Sequence, residues 1–222
     1  MAFRLACDID GTLADMDAAL LLAAERLFGP GMKLRGSRPY DVAGQGGKDA
    51  CLSAVQMRQL WAHVHTIENF WTTLDEVEPG AVARLAAVAS ARNWEMIFLT
   101  RRSQTAGASA QVQSQRWLVA HGFALPSVYV IHGSRGKVAD ALALDAMLDD
   151  HPDNCLDVAT YSRARPFLLW RDTPASAPTE LARVEIDTVF SVAEAIERFE
   201  RFAPRTDKPE GLVGRLRAAI GL

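Results

Sequence analysis

The sequence is poor in cysteine and has no excess of basic residues. Its 222 residues include only three cysteines, Cys7, Cys51 and Cys155, an odd number at wide spacing. Such a set fits neither a disulfide framework nor a zinc motif, and it indicates a reducing compartment. The 24 Lys and Arg residues are balanced by 27 Asp and Glu residues, giving a net charge of -3. The sequence therefore lacks the basic character of a dedicated nucleic-acid binder.

Long apolar segments are also missing. The longest obvious apolar run, Ala18 to Ala24, lies in an amphipathic segment and is much shorter than a bilayer-spanning helix. No apolar leader precedes Cys7, so a secretory signal is not indicated. We therefore expect a cytoplasmic protein that does not insert into a membrane.

Three common ligand-binding motifs are incomplete. Gly136-Lys137 is not part of a P-loop, because no glycine lies five residues before its first member and Val138 stands where Ser or Thr is required. Gly44-Gln45-Gly46 lacks the third glycine of a dinucleotide-binding fingerprint. A calcium loop at the amino-terminal aspartates would need a glycine and a glutamate where Leu13 and Ala19 stand.

The most informative motif is Asp8-Ile9-Asp10-Gly11-Thr12, which follows the apolar run Phe3 to Cys7. The apolar run predicts a strand, and aspartates two residues apart on an extended chain share a side. Gly11 permits a sharp turn that brings backbone N–H groups toward an anion. One carboxylate could attack a phosphorus atom while the other moves a proton, as an aspartyl-phosphate mechanism requires. A solvated Asp-Gly turn is the alternative.

The chain after Pro79 predicts alternating helices and strands, which favours a parallel sheet. Predicted helices are Ala81 to Arg92, Ala106 to His121, Lys137 to Leu144, a helix after Pro152 and Ser191 to Phe202; predicted strands are Glu95 to Leu99, Val128 to Ile131, Ala146 to Leu148 and Phe167 to Trp170. We expect an α/β fold, a Rossmann-like parallel sheet covered by helices on both faces.

Helical periodicity in Asp15 to Phe28 and in residues 50–65 predicts a small helical cap inserted after the first strand. The predicted organisation is an α/β core of residues 1–15 and 77–205, a cap of residues 16–76 and a C-terminal helical tail of residues 206–222. The tail carries an apolar helical stripe, Leu212, Val213, Leu216, Ala219 and Ile220. It would pack on its own domain or mediate a homodimer.

Three further polar segments follow predicted strands. Thr100-Arg101-Arg102 places a hydroxyl and two cations at one strand exit, and Asp149-Asp150 ends another. Gly133 to Lys137 begins the helix after a third strand and supplies an ammonium group. Because ligands bind beyond the carboxyl ends of parallel strands, we expect these groups to meet the amino-terminal aspartates.

In this order the segments resemble the four motifs of the haloacid dehalogenase-like superfamily. Five segments look like its 5'(3')-deoxyribonucleotidase branch: Phe70-Trp71, Pro79-Gly80-Ala81, Leu99 to Arg102, Gln115 to Leu118 and Leu148 to Asn154. The resemblance covers most of residues 1–160. Members of that branch often have arginine after the paired aspartates, where this chain has His151.

The resemblance implies a Mg²⁺-dependent phosphate monoester hydrolase that acts through an aspartyl-phosphate. The implied catalytic residues are Asp8 as nucleophile, Asp10 as acid and later base, Thr100 as a ligand of a phosphoryl oxygen and Lys137 as the residue that offsets charge. The implied metal ligands are Asp8, the Asp10 carbonyl and Asp149, with Asp150 acting on the metal's waters. The candidate substrate-binding residues are Thr12, Arg101, Arg102, Phe70 and Trp71, although the two aromatics could instead form the core of the cap.

Electrostatics favours the metal independently of the resemblance. Two carboxylates about 4 Å apart repel by roughly 4 kcal/mol at an effective dielectric constant of about 20. Gathering Asp8, Asp10 and Asp149 around a phosphate therefore requires cations, and Mg²⁺ prefers oxygen ligands.

A small phosphorylated metabolite is the expected partner, with a nucleoside monophosphate as the best single substrate. Two alternatives remain open: a polynucleotide 3'-phosphatase, which the acidic balance disfavours, and a non-catalytic module that binds Mg²⁺ and phosphate.

Overall fold

A six-stranded parallel sheet forms the centre of the computed structural model, which describes residues 2–34 and 51–202. Its strands are β1 (Arg4–Asp8), β2 (Glu95–Thr100), β3 (Ser127–Val130), β4 (Ala146–Asp149), β5 (Arg165–Leu169) and β6 (Asp187–Val189). The spatial order is β3-β2-β1-β4-β5-β6. Strands β2 and β3 therefore lie on one side of β1, and β4 to β6 lie on the other side. The strand order reverses between β1 and β4, and α/β sheets bind ligands at such a point.

Seven α-helices lie within the described ranges. They are α1 (Met16–Phe28), α2 (Ala54–Thr66), α3 (Ala81–Ala91), α4 (Ala110–Ala120), α5 (Arg135–Ala141), α6 (Pro152–Tyr161) and α7 (Val192–Arg201). Short 3₁₀ helices occupy Phe70–Thr72, Pro174–Ser176 and Thr179–Val184. Local sequence explains several starts; for example, Ser53 and Gln56 form a reciprocal capping box at the start of α2.

Alternate residues of β1 contribute to different apolar clusters. Leu5 and Cys7 pack with residues of α3, α4 and α7, whereas Ala6 packs with residues of α5 and α6. Because successive side chains of a strand point to opposite faces, helices cover both faces of the sheet. The predicted α/β, Rossmann-like fold is confirmed. The sequence did not predict β6, which has only three residues.

The segment between β1 and α3 contains α1, α2 and the 3₁₀ turn Phe70–Thr72. Backbone hydrogen bonds join its end to the loop after β2: Ala106 N–H donates to His65 O, and Asn69 N–H donates to Ala106 O. The proposed domain limits stay a prediction. The glycine-rich stretch at residues 44–47 and the predicted tail lie outside the described residues. Within those residues, every helix is too short or too polar to cross a lipid bilayer.

Helices α5 and α6 approach each other closely at Gly136. A Cβ atom added to Gly136 would lie 2.1 Å from the backbone oxygen of Asp157. The Asp157 carboxylate also accepts hydrogen bonds from Gly136 N–H and from Ser134 Oγ, both at 2.8 Å. This contact fixes the start of α5 against α6.

Replacing Gly136 with alanine should therefore destabilise the protein. We expect Gly136→Ala to lower the free energy of unfolding by about 1–3 kcal/mol, because a backbone atom must move to admit the methyl group. Gly133→Ala is the matched control, since no atom lies within 4 Å of a Cβ added there. Urea denaturation of both variants would measure the difference, and equal stabilities would contradict the close approach.

Candidate functional site

Two neighbouring strands end in buried aspartates. Asp8 is the last residue of β1, and Asp149 is the last residue of β4, which is hydrogen-bonded to β1. Their exposed fractions are 4% and 0%. Asp10 and Asp150 follow in the adjoining loops, so the sheet gathers four of the predicted acidic side chains at one edge.

Arg135, the first residue of α5, provides the nearest positive charge. Its Nη2 atom donates to Asp8 Oδ1 at 2.5 Å, and its Nε atom lies 3.4 Å from Asp149 Oδ2. Its Nη1 atom donates to the carbonyl of Leu99. Arg135 is itself 3% exposed. A buried guanidinium therefore bridges the two strand-end aspartates.

Lys137 is not beside the aspartates, contrary to the sequence prediction. Its side chain is exposed, and its Nζ atom lies 5.8 Å from the centre of the Tyr161 ring. Two residues on an α-helix differ by about 200° around the axis, so Lys137 and Arg135 point in nearly opposite directions. The N-cap hydrogen bond of Ser134 is the signal that would have placed Arg135 at the helix start.

The acidic cluster holds more negative charge than Arg135 offsets. Burial raises the pKa of Asp8 well above its ordinary value; Arg135 opposes this change, and the charges of Asp149, Asp150 and Asp10 add to it. Burial also raises the pKa of Asp150 to about 7, with a further increase from Asp149. A further cation beside Asp8 and Asp150 would therefore stabilise their charged forms.

The turn after Asp10 packs directly on Asp150. Gly11 has a φ of +82°, which favours glycine, and a Cβ atom there would lie 2.2 Å from Asp150 Oδ2. Thr12, a predicted substrate-binding residue, is 0% exposed and donates its hydroxyl to Asp150 Oδ1 at 3.3 Å. The turn is thus held against the end of β4, and the Thr12 side chain supports Asp150.

Asp10 is held by Thr100 and Arg102. Thr100 Oγ1 donates to Asp10 Oδ2 at 2.9 Å. Arg102 donates to both Asp10 oxygens, with distances of 2.8–3.0 Å, and to Ser114 Oγ on α4. The Arg102 side chain is fully buried, with 0% exposure. Arg102 was predicted to bind substrate, but its donors are directed to Asp10 and Ser114.

Trp71 forms the next layer of this arrangement. The Arg102 guanidinium lies 5.0 Å from the centre of its ring, within the range of a cation–π contact. Trp71 Nε1 donates to the carbonyl of Ser103 at 2.8 Å. Trp71 and Phe70, the other candidate aromatic, are both buried, with 1% and 4% exposure, and both belong to the apolar core. Of this pair, Trp71 lines the cleft over the site.

The cleft over the aspartates has a volume of about 780 Å³. Trp61 and His65 of α2 line one wall with Trp71, and Arg101, predicted to bind substrate, lines the same region. Arg101 is exposed. Sites for small ligands typically measure about 300–1,000 Å³ and place a few polar groups in apolar walls. The cleft has this character, with the charged groups concentrated at the strand ends.

The donor set fits Mg²⁺ chemically, although the cluster is not preassembled. In residues 2–34 and 51–202, no three His, Cys, Asp or Glu side chains are grouped as a metal site. Asp149 accepts hydrogen bonds from both the Asn154 side-chain amide and the backbone of His151. Burial raises the pKa values of Asp8 and Asp150, and a divalent cation bound to their oxygens would favour the charged forms; oxygen ligands of this kind suit Mg²⁺.

Comparison with solved structures finds hydrolases, one of which is described as a HAD family hydrolase. The chain is similar to a HAD family hydrolase from Deinococcus radiodurans with bound phosphate and sodium, at 13% identity and a TM-score of 0.55 over 90% of this chain and 96% of that one. It is also similar to a hydrolase from Pseudomonas syringae, at 16% identity and a TM-score of 0.52 over 90% and 99%. No protein-family model matches the sequence, and no curated protein matches it. At these identities the likeness shows the fold: this chain has the fold of HAD hydrolases.

Proposed function

We propose that this protein is a Mg²⁺-dependent phosphate monoester hydrolase that forms a phosphoryl intermediate on Asp8. The observation that carries the proposal is the arrangement around Asp8: a buried carboxylate at a strand end, paired with Arg135 and bordered by Asp10, Asp149 and Asp150. An attacking carboxylate, a second carboxylate for proton transfer and a buried cation for phosphoryl charge are the components that this reaction needs. The HAD-like fold agrees with this chemistry.

In the first half of the reaction, an Asp8 oxygen attacks phosphorus and the bond from phosphorus to the ester oxygen breaks. Asp10, whose oxygens both accept hydrogen bonds in the structure, takes up a proton on the oxygen that Thr100 releases and gives it to the departing oxygen, so that an alcohol leaves. Arg135 stays beside Asp8 and offsets the charge of the phosphoryl group as it is transferred. Mg²⁺, which Asp8, the Asp10 carbonyl and Asp149 would hold with Asp150 acting on its waters, would supply further positive charge to the phosphoryl group.

In the second half, water attacks the phosphorus of the Asp8 phosphoryl group. Asp10 takes a proton from this water, the bond between Asp8 and phosphorus breaks, and inorganic phosphate leaves. Asp8 returns as a carboxylate and Asp10 returns in its protonated form. The two halves therefore balance as the hydrolysis of one ester.

Substrate binding must rearrange hydrogen bonds at Thr100. Its hydroxyl carries one proton, which is donated to Asp10 in the structure. To donate to a phosphoryl oxygen, as the family resemblance implies, Thr100 must release Asp10. Asp10 keeps its bonds from Arg102 at that moment and gains freedom on the side of the leaving group.

A nucleoside monophosphate is the substrate that the cleft favours. Trp61 and Trp71 lie with ring centres 6.4 Å apart, and His65 lies beside Trp61. Trp71 is 1% exposed, so the half-buried Trp61 and the exposed His65 provide the accessible aromatic surface of the cleft. Flat nucleobases pack well on aromatic side chains. The volume of about 780 Å³ also exceeds what a phosphate group alone would need.

A substrate panel tests the proposed function. We expect purified protein to release phosphate from nucleoside monophosphates with Mg²⁺, to lose this activity in excess chelator, and to regain it when Mg²⁺ is restored. The panel should include sugar phosphates and 3'-phosphorylated DNA, which separate the substrate classes, and Asp8→Asn as the inactive control. Absence of turnover on every ester, with phosphate binding intact, would instead indicate a non-catalytic module.

Arg135, and not Lys137, should support catalysis. We expect Arg135→Met to lower kcat/KM by about 10²–10³-fold, because a buried charge beside the phosphoryl group is lost. Lys137→Met should change kcat/KM by less than about threefold, since Lys137 lies outside the site. Steady-state kinetics on the best panel substrate would measure both.

Folding must be checked for Arg135→Met, because it leaves Asp8 and Asp149 without their buried partner. Arg135→Lys keeps a positive charge and should retain more activity than Arg135→Met. A large loss in Lys137→Met with normal activity in Arg135→Met would reverse the assignment.

A further inference from the structure

An arginine 160 residues further along the chain contacts the Gly11–Thr12 turn, which follows Asp8 and Asp10. Arg171 follows β5, and its Nε atom donates to the carbonyl of Gly11 at 2.6 Å. Its Nη2 atom donates to the carbonyl of Thr12 at 2.7 Å. Charge-assisted bonds of this length are among the stronger hydrogen bonds in proteins. Arg171 thus binds two successive peptide groups, three and four residues after Asp8.

The same turn is fixed by Asp150. The Asp150 carboxylate contacts Gly11 so closely that a Cβ atom would overlap it, and it accepts the Thr12 hydroxyl. Arg171 and Asp150 therefore hold different groups of the turn. Arg171 binds the carbonyls of Gly11 and Thr12, whereas Asp150 packs on Gly11 and accepts the Thr12 hydroxyl. The position of the backbone N–H groups of this turn follows from these contacts.

The turn carries a residue that lines the cleft. Gly11 borders the cleft beside Asp8 and Asp10, whereas Thr12 is fully buried. Within the turn, Gly11 N–H donates to Ala14 O, and Leu13 N–H and Ala14 N–H both donate to Ile9 O. Because Arg171 holds two peptide groups of this turn through their carbonyls, its removal would loosen the segment that follows Asp10 and packs on Asp150.

We propose that Arg171 is a positioning residue for phosphoryl transfer: it fixes the Gly11–Thr12 turn and thereby keeps Asp10 and Asp150 in place beside Asp8. This inference rests on the proposed function. It adds a residue from beyond the region of family resemblance, which covers most of residues 1–160. The two carbonyls suit a guanidinium, because a single planar fork reaches both at once.

The test uses the full chain with Arg171→Ala, Arg171→Lys and the control Arg163→Ala, whose side chain is exposed. We expect Arg171→Ala to lower kcat by about 10²-fold, because small displacements of reacting groups have effects of this size. Binding of inorganic phosphate, measured by calorimetry, should weaken in the same variant. Arg171→Lys should be intermediate, and Arg163→Ala should behave like the wild type.

Chemical rescue separates positioning from a merely structural role. Arg171 is half-buried, so its removal leaves a space that guanidinium ion can enter. We expect guanidinium chloride, at concentrations below those that unfold the protein, to restore activity to Arg171→Ala, whereas sodium chloride at equal ionic strength should not. A loss of activity that follows a fall in Tm and resists rescue would overturn the proposal.

Two readouts decide the matter even if the wild type hydrolyses no ester, which would be a failure of the proposed function itself. These are phosphate binding and hydrogen exchange of the amides of Gly11, Leu13 and Ala14, which donate within the turn. Weaker binding and faster exchange in Arg171→Ala, but not in Arg163→Ala, would support the positioning role. Unchanged binding and exchange would overturn it.

Discussion

The site depends on burying negative charge at the ends of two neighbouring strands. Asp8 and Asp149 end β1 and β4, and Asp150 follows directly. Removing carboxylates from water costs free energy unless cations compensate, so their positions determine what must surround them. Arg135 supplies one such cation, yet the pKa values of Asp8 and Asp150 remain raised. A divalent cation in the cleft would favour the charged forms of these carboxylates and would also offset the negative charge of a phosphoryl group.

A second consequence of this charge is the division of labour among the arginines. Arg135 bridges the two strand-end aspartates, and Arg102 fixes Asp10 from the side of α4. Arg171 holds the Gly11–Thr12 turn through the backbone carbonyls of that turn. These three guanidiniums come from three different strand exits of one sheet. The sheet therefore places the aspartates, and the arginines fix the orientation of their carboxylates and of the Gly11–Thr12 turn.

The strand ends that carry the site could be predicted from the sequence, because they depend on local pattern. The apolar run before Asp8, the strand before Thr100 and the strand before Asp149 specify strand exits, and parallel strands bring their exits together. The positions of charged residues alone could not show which side of α5 faces the aspartates. The Ser134 cap starts the helix at Arg135, and this start turns Lys137 outward.

Other features required three-dimensional information. Arg102 looked like a ligand for substrate because nothing in the local sequence shows that Asp10 would take its donors. Arg171 contacts a turn about 160 residues earlier in the chain, a separation that no local motif spans. The proposed substrate class depends on Trp61 and His65 of α2, whose placement at the cleft follows from packing between distant segments.

The most direct test of the account is to trap the phosphoryl intermediate. Wild-type protein turning over its best phosphate ester with Mg²⁺ would be quenched rapidly in acid, digested, and analysed by mass spectrometry. The account predicts one added phosphoryl group on the peptide containing Asp8, localised to Asp8 and absent once substrate is exhausted. A phosphoryl group on another residue, or active turnover with no modified Asp8 at any time, would contradict it.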